Sequence, residues 1–293
     1  MIYTDNNLLK YVAFVQTVDK GSFTKAANSL NYAQSSISKM IADLEKEWGV
    51  TLLQRNKKGV CLTSTGEQIL PLIRQALNDF EKMREKIDEI NNVQSGTVRI
   101  GTFSSVAINW LPDIFTKFQE DYPKINCEML LGDYDEIEKQ LEEGRIDCAF
   151  LRLPTNKNFN TTILKKDEYK AVLPYNHPLA EKEFLEYGDL NNQPFLLLEH
   201  GGKTEVSDLL EQNNVKANIR FTTWEDFAIM AMVEKGLGIG ILPELILKRI
   251  PYNIVIKSFK KPYYRKIVLA TKDKNNLTAA TRKFIEYLKY IDI

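Results

Sequence analysis

The N-terminal segment carries the pattern that most restricts this chain: three amphipathic helical stripes joined by tight turns. Leu8, Tyr11, Val12, Val15 and Val18 share one helical face, and Lys20-Gly21 closes that helix. Ser22 is a good N-cap for the next, in which Phe23, Ala26, Ala27 and Leu30 recur at the spacing of a buried face. The two small alanines let another helix approach closely. Asn31-Tyr32 makes a short turn. A third helix is expected from about Ala33 to Trp48, with Ile37, Ile41, Leu44 and Trp48 inward. Its outer face carries Ser35, Ser38, Lys39, Ala42 and Lys46, with Gln34 and Ser36 in the exposed first turn.

Two short helices joined by a tight turn, the second polar where it begins, are what the DNA major groove admits. Gln34 can bond adenine in two places, while serines and Lys39 reach base edges or phosphates. After Gly49 the segment 51–62 reads as two short strands around a Lys57-Lys58-Gly59 turn. Arg55, Lys57 and Lys58 make that hairpin basic, which suits phosphate or minor-groove contact. Lys+Arg and Asp+Glu each total 39 over the chain, so no uniformly basic coat exists. Basic residues nevertheless outnumber acidic ones within residues 1–60, leaving the remainder net negative.

With 293 residues, two or three packed domains are expected. Three widely spaced cysteines imply a reducing compartment without a disulfide framework. The first residues form no charged-then-apolar leader, and no apolar run has membrane-spanning length. A cytoplasmic protein without membrane contact is therefore expected.

Ser64-Thr65-Gly66-Glu67 reads as a capping box opening a helix that continues to about Asn92. Ile69, Ile73, Ala76, Phe80, Met83, Ile87 and Ile90 form a heptad seam opposite a charged face, which points to a partner helix, parallel or antiparallel. Pro71 should bend the start of that helix. Two-fold pairing would set two recognition helices on successive major-groove faces, so a partly palindromic site is expected.

From Ser95-Gly96 strands and helices alternate. Strands are expected at 97–102, 126–131 and 147–151, with helices at 111–121 and 135–144. That order implies a parallel sheet with ligands at its carboxyl ends. A second unit follows from about 164, with strands near 169–173, 195–198, 219–221 and 239–242. Residues 265–270 and a last helix to about Tyr290 should return to the first. Ligand candidates are the strand-end residues Thr102, Ser104, Ser105 and Arg152, then Glu199, His200, Gly201 and Gly202, then Thr222, Thr223 and Trp224. Hydroxyls beside a helix start make the first group a natural carboxylate site, so an anionic effector is one that this cleft could take.

Residues 22–66 resemble the LysR-type regulator signature: a Phe-Thr-basic-Ala-Ala helix, Gln-x-x-hydrophobic-Ser-basic opening the next, Leu-Glu-x-x-Trp-Gly-Val closing it, and a Leu-Thr-x-x-Gly exit. Ala33 departs from the usual Ser, removing a helix cap worth about 1 kcal/mol, and Leu53 replaces a common Phe. Residues 232–243, MVEKGLGIGILP, and Asp147-Cys148-Ala149-Phe150 resemble segments of the same family's effector domain. The resemblance implies a winged helix-turn-helix (1–63), a linker helix (64–94) and a two-subdomain α/β effector domain (95–293), like type 2 periplasmic binding proteins. Subdomain I would hold about 95–163 and 265–293, subdomain II about 164–264. It further implies a transcriptional regulator that binds and bends operator DNA, controls RNA polymerase access, senses a small molecule between its subdomains, and assembles as a homodimer pairing into a homotetramer.

Other motifs carry less. Gly201-Gly202-Lys203-Thr204 lacks the earlier glycine of a phosphate-binding loop, since Leu197 stands there. Cys127 and Cys148 lie in apolar strands, which suits inert thiols better than a redox switch. His177 and His200 belong to no metal-ligand spacing, and no nucleophile–base set stands out, so neither cofactor, metal nor catalysis is expected. A solute-binding protein would explain the second half but not the first.

Overall fold

A computed structural model describes residues 6–56, 59–90, 95–199 and 205–291. Helices α1 (Asn6–Lys20), α2 (Phe23–Leu30) and α3 (Gln34–Trp48) precede a hairpin of β1 (Leu53–Asn56) and β2 (Gly59–Leu62). Phe14, Ala26, Ala27, Ile37, Ile41, Leu44 and Leu52 form the buried centre, and the alanines permit the close crossing that the stripes imply. Ser22 caps α2 by accepting from Lys25 N at 3.4 Å, and Asn31 ends it in the left-handed region at φ 58°. Ala33 makes no side-chain cap on α3. Glu45 accepts from Leu52 N at 2.7 Å and Leu53 N at 3.0 Å, tying the wing to α3. Trp48, expected inward, is 36% exposed. As the last residue of α3 it lies at the rim of the core, its ring 5.7 Å from that of Tyr11.

Helix α4 (Ser64–Ile90) follows at once. Its cap is Thr63, one residue before the capping box that the sequence suggests. The Thr63 hydroxyl donates to Thr51 O at 2.7 Å and accepts from Gly66 N at 3.0 Å. Gly66 thus takes the place where a box needs Glu, because a Cβ there would lie 2.2 Å from Leu52 O. Leu70 and Ile73 sink into the N-terminal core, and Arg74 forms a two-pronged pair with Asp19 at the end of α1. Arg145, from the next domain, approaches the same carboxylate at 3.4 Å.

The remainder is built on one mixed sheet. Its first part contains β3 (Gly96–Thr102), α5 (Ser104–Asn109), α6 (Leu111–Asp121), β4 (Ile125–Leu131), α7 (Tyr134–Glu142) and β5 (Cys148–Leu153). Strand β6 (Asn160–Pro174) leads to β7 (Pro194–Leu198), α8 (Glu205–Gln212), β8 (Asn218–Thr223), α9 (Asp226–Glu234), β9 (Ile239–Pro243) and β10 (Ile254–Lys257). Then β11 (Tyr264–Thr271) and α10 (Ala279–Glu286) return to the first part. The order is β4-β3-β5-β11-β6-β9-β7-β8, with β10 also on β6.

Strands β3, β4 and β5 are parallel as expected, but β11 runs antiparallel to both β5 and β6, so the sheet is mixed rather than parallel. The sequence reading also begins β6 too late and omits β10. Residues 160–168 of β6 pair with β11, and residues 169–174 pair with β9 and β10. One strand therefore belongs to both subdomains. In subdomain II the apolar runs are buried on both faces: Phe195 and Leu197 point into one core and Leu196 into the other.

Gly66→Ala should cost about 1–3 kcal/mol, as overpacking against backbone does, outweighing the ~1 kcal/mol that alanine's helix propensity returns. A urea melt followed by circular dichroism checks this, and an unchanged midpoint would contradict it.

Candidate functional site

On the N-terminal domain, α3 presents Gln34, Ser35 and Lys39 to solvent, with Ser36 and Ser38 half-buried beside them. The helix begins without a side-chain cap, so its positive end faces outward for an incoming acceptor. Arg55 lies on β1, its backbone in register with Val60. Lys57 and Lys58 lie outside the described residues.

The second site is a cavity of about 370 Å³ between the subdomains, a volume suited to a small metabolite. Phe103, Ser104 and Ser105 reach it from the end of β3 and the start of α5, and Arg152 from β5. The opposite wall presents Leu198, Glu199, Glu205, Trp224 and Asp226. Tyr169 of β6 and Arg265 of β11 meet it where the subdomains join.

Arg265 is buried and fully engaged. Its Nε donates to Asp167 Oδ2 at 2.8 Å, Nη1 to the Tyr134 hydroxyl at 2.9 Å and Nη2 to Ser105 Oγ at 2.7 Å. The guanidinium also lies over the Phe103 ring, 4.9 Å from its centroid. Asp167 accepts from Leu245 N at 2.9 Å through its other oxygen, which ties the cluster to the second subdomain. Burial drives the Tyr134 phenol well above its usual range, so it stays protonated.

Arg152 Nε lies 2.9 Å from Glu205 Oε1 across the cleft, yet neither atom makes an aligned hydrogen bond. Glu199 accepts from Ser207 Oγ at 3.2 Å. Burial pushes the Asp226 carboxyl up to about 6, against the pull of Arg265. Away from the cleft, burial raises the Cys127 thiol to about 11 and Cys148 well above its ordinary value, so thiolate is disfavoured at both.

Comparison with known proteins covers both parts of the chain. Residues 8–67 match the family described as "Bacterial regulatory helix-turn-helix protein, lysR family", and residues 91–290 match "LysR substrate binding domain". The chain belongs to the LysR family of transcriptional regulators. It is 31% identical to the uncharacterized HTH-type transcriptional regulator YvbU of Bacillus subtilis (strain 168), covering 94% of this chain and 95% of that one. The transcriptional dual regulator GltC of the same organism is 31% identical, over 87% of each chain. The fold matches that of a full-length OxyR variant of Pseudomonas aeruginosa with a TM-score of 0.79, at 20% identity, covering 100% of this chain and 97% of the other.

In this LysR-family regulator the cleft gathers Ser104, Ser105, Arg152, Glu199 and Trp224 from the sequence-derived candidates. Thr102 is fully buried with its hydroxyl on Phe103 O at 3.4 Å, and it does not line the cavity. Thr222 and Thr223 end β8 outside the lining, and Thr223 Oγ1 accepts from Glu225 N at 3.3 Å. His200, Gly201 and Gly202 lie outside the described residues. Tyr134, Tyr169, Glu205, Asp226 and Arg265 also line the cleft, and they are not among the sequence-derived candidates. Only Arg265 gave a signal, a charge alternating in phase with apolar Ile267.

The raised Asp226 value implies that folding favours its protonated form. That contribution is complete below about pH 4 and is lost as pH rises through about 6. Asp226→Asn should therefore match the parent's melting temperature near pH 4 and exceed it above pH 6. A thermal-melt series across pH tests this, and a gap that narrows with rising pH would refute it.

Proposed function

We propose that this regulator grips a partly palindromic operator as a dimer paired through α4, assembles further into a homotetramer, and alters its hold on DNA when a small molecule occupies the cleft. The observation that carries this reading is the cleft contact Arg152–Glu205, which joins opposite walls that share strand β6. A ligand there can favour one closure state only by its difference in affinity for the two. Re-spacing of the paired heads then changes DNA bending, at a cost on the order of a few kcal/mol, and with it the access of RNA polymerase. The setting is the cytoplasm. Among the described residues no helix is long and apolar enough to cross a membrane. The role calls for no catalytic step.

Pairing has support along α4. Leu72 is 61% and Met83 49% exposed, and with Ala76, Phe80 and Ile87 they form an apolar stripe without cover in the single chain. This modifies the heptad reading. Ile73 is buried and Ile69 partly buried against their own N-terminal domain, so the free seam begins at Leu72. The Ile90 side chain lies outside the described residues.

Fluorescence anisotropy with duplex DNA from the regulator's own promoter tests DNA reading. Lys39→Ala should weaken binding to all sequences and reduce the salt slope by about 1, whereas Gln34→Ala should relax specificity at one base pair by about 1–3 kcal/mol. Binding that is insensitive to salt would remove the DNA-binding claim. For the dimer, Met83→Glu should shift sedimentation toward a single chain with the fold intact, and an unchanged sedimentation coefficient would place the interface elsewhere.

A further inference from the structure

The charges around the cleft indicate which class of molecule it takes. Among the described residues its lining includes the carboxylates Asp133, Asp135, Glu199, Glu205 and Asp226. Against these stand two guanidiniums, and both are engaged: Arg265 with Asp167, Tyr134 and Ser105, Arg152 with Glu205. Among the described residues, an entering carboxylate would meet a surplus of negative charge, and both guanidiniums already face a carboxylate. The serine hydroxyls that suggested an anion do not offset that surplus. Ser105 Oγ already accepts from Arg265, and α5 is a helix of only 6 residues.

The aromatic side chains point the same way. Arg265 lies 4.9 Å from the Phe103 centroid and Arg152 5.2 Å from that of Tyr134, so this cleft already holds cations on ring faces. Tyr169 and Trp224 add further rings to the lining. Tyr169 is 3% exposed and lines the cavity. Glu205 Oε1, in ion contact with Arg152, lacks an aligned donor. That oxygen belongs to a residue of the cavity wall and is an acceptor that an N–H-bearing cation satisfies.

We propose that the effector of this regulator is an organic cation, a metabolite carrying an ammonium or guanidinium group held by the cleft carboxylates and the faces of Tyr169 and Trp224. The proposal rests on the reading of this cleft as the effector site. Binding replaces the water around a positive nitrogen with fixed carboxylates on both walls, so it favours the closed arrangement.

Thermal shift and calorimetric titration of the full-length protein test it, using putrescine and agmatine, with succinate and butanediol as anionic and neutral counterparts. At saturation one of the amines should raise the melting temperature by about 2–4 °C, with no shift from the counterparts. Asp226→Asn and Trp224→Ala should each weaken that amine about tenfold, in line with a lost charge contact or ring face. Trp224 is 58% exposed, so its replacement leaves the core intact and separates lost binding from lost folding. Stabilisation by succinate that disappears in Arg152→Ala would overturn the proposal while leaving the cleft as the effector site. No shift with either amine would overturn it as well. An amine shift that both variants retain in full would instead place binding outside the cleft, and the effector-site reading would fail.

Discussion

Arg265 and Asp167 sit opposite one another on β11 and β6, and both are buried. An isolated charge in such a place would cost several kcal/mol, so each holds the other there and neither can be removed alone without a loss of about 3–5 kcal/mol. Their remaining valences decide the geometry of the cleft. Arg265 fixes α7 through Tyr134 and α5 through Ser105, while Asp167 fixes the turn that begins at Glu244 through Leu245 N. Asn109 reinforces that joint by donating to Leu245 O at 2.8 Å and Ser105 O at 3.1 Å. The walls of the cleft are thus referenced to one ion pair at the place where the shared strand passes between subdomains.

Because β6 is continuous, the subdomains cannot separate as beads on a loop. They can only flex about a strand whose two halves are paired to different neighbours, the change coming between Glu168 and Tyr169, with a register shift opposite Ile267 and Val268 inside the half that pairs with β11. Such a joint preserves its hydrogen bonds while its ends tilt. The contacts free to change are those across the opening, foremost Arg152–Glu205, which lies close without hydrogen-bond alignment. A molecule that bonds both walls alters this contact and leaves the hinge pair intact.

How much of this is legible in the sequence follows from where the physics is local. The stripes of α1, α2 and α3 are visible because burial there is one-sided and the caps at Ser22 and Asn31 act within a few residues. The first part of β6 is not visible. Asn160 to Lys166 is mostly polar and becomes a strand through pairing with β11, a partner about a hundred residues away. Local spacing puts the cap of α4 one residue late because the Thr63 hydroxyl is held by Thr51, a contact made by the wing. Arg265 alternates in phase with Ile267 but lies among Lys260, Lys261 and Lys266, so composition competes with that signal, and the register opposite Asp167 is what buries it. The carboxylates of the cleft come from separate elements, and their surplus exists only once those elements converge.

The same contrast in strengths governs how a signal can leave the cleft. Asp19 at the end of α1 receives Arg74 from α4 and Arg145 from the sensing domain, so one carboxylate joins head, linker and sensor. The Arg145 contact is partly exposed, and pairs of that kind contribute about 0–1 kcal/mol. Coupling between two sites typically amounts to about 1–3 kcal/mol. A ligand whose affinity differs between states by that much can exchange the Arg145–Asp19 contact for another arrangement, but it cannot break the buried pair of Arg265 and Asp167. In the proposed mechanism, motion pivots on the hinge and is taken up at the junction with α1 and α4, where small changes in angle act on the far end of a 27-residue helix.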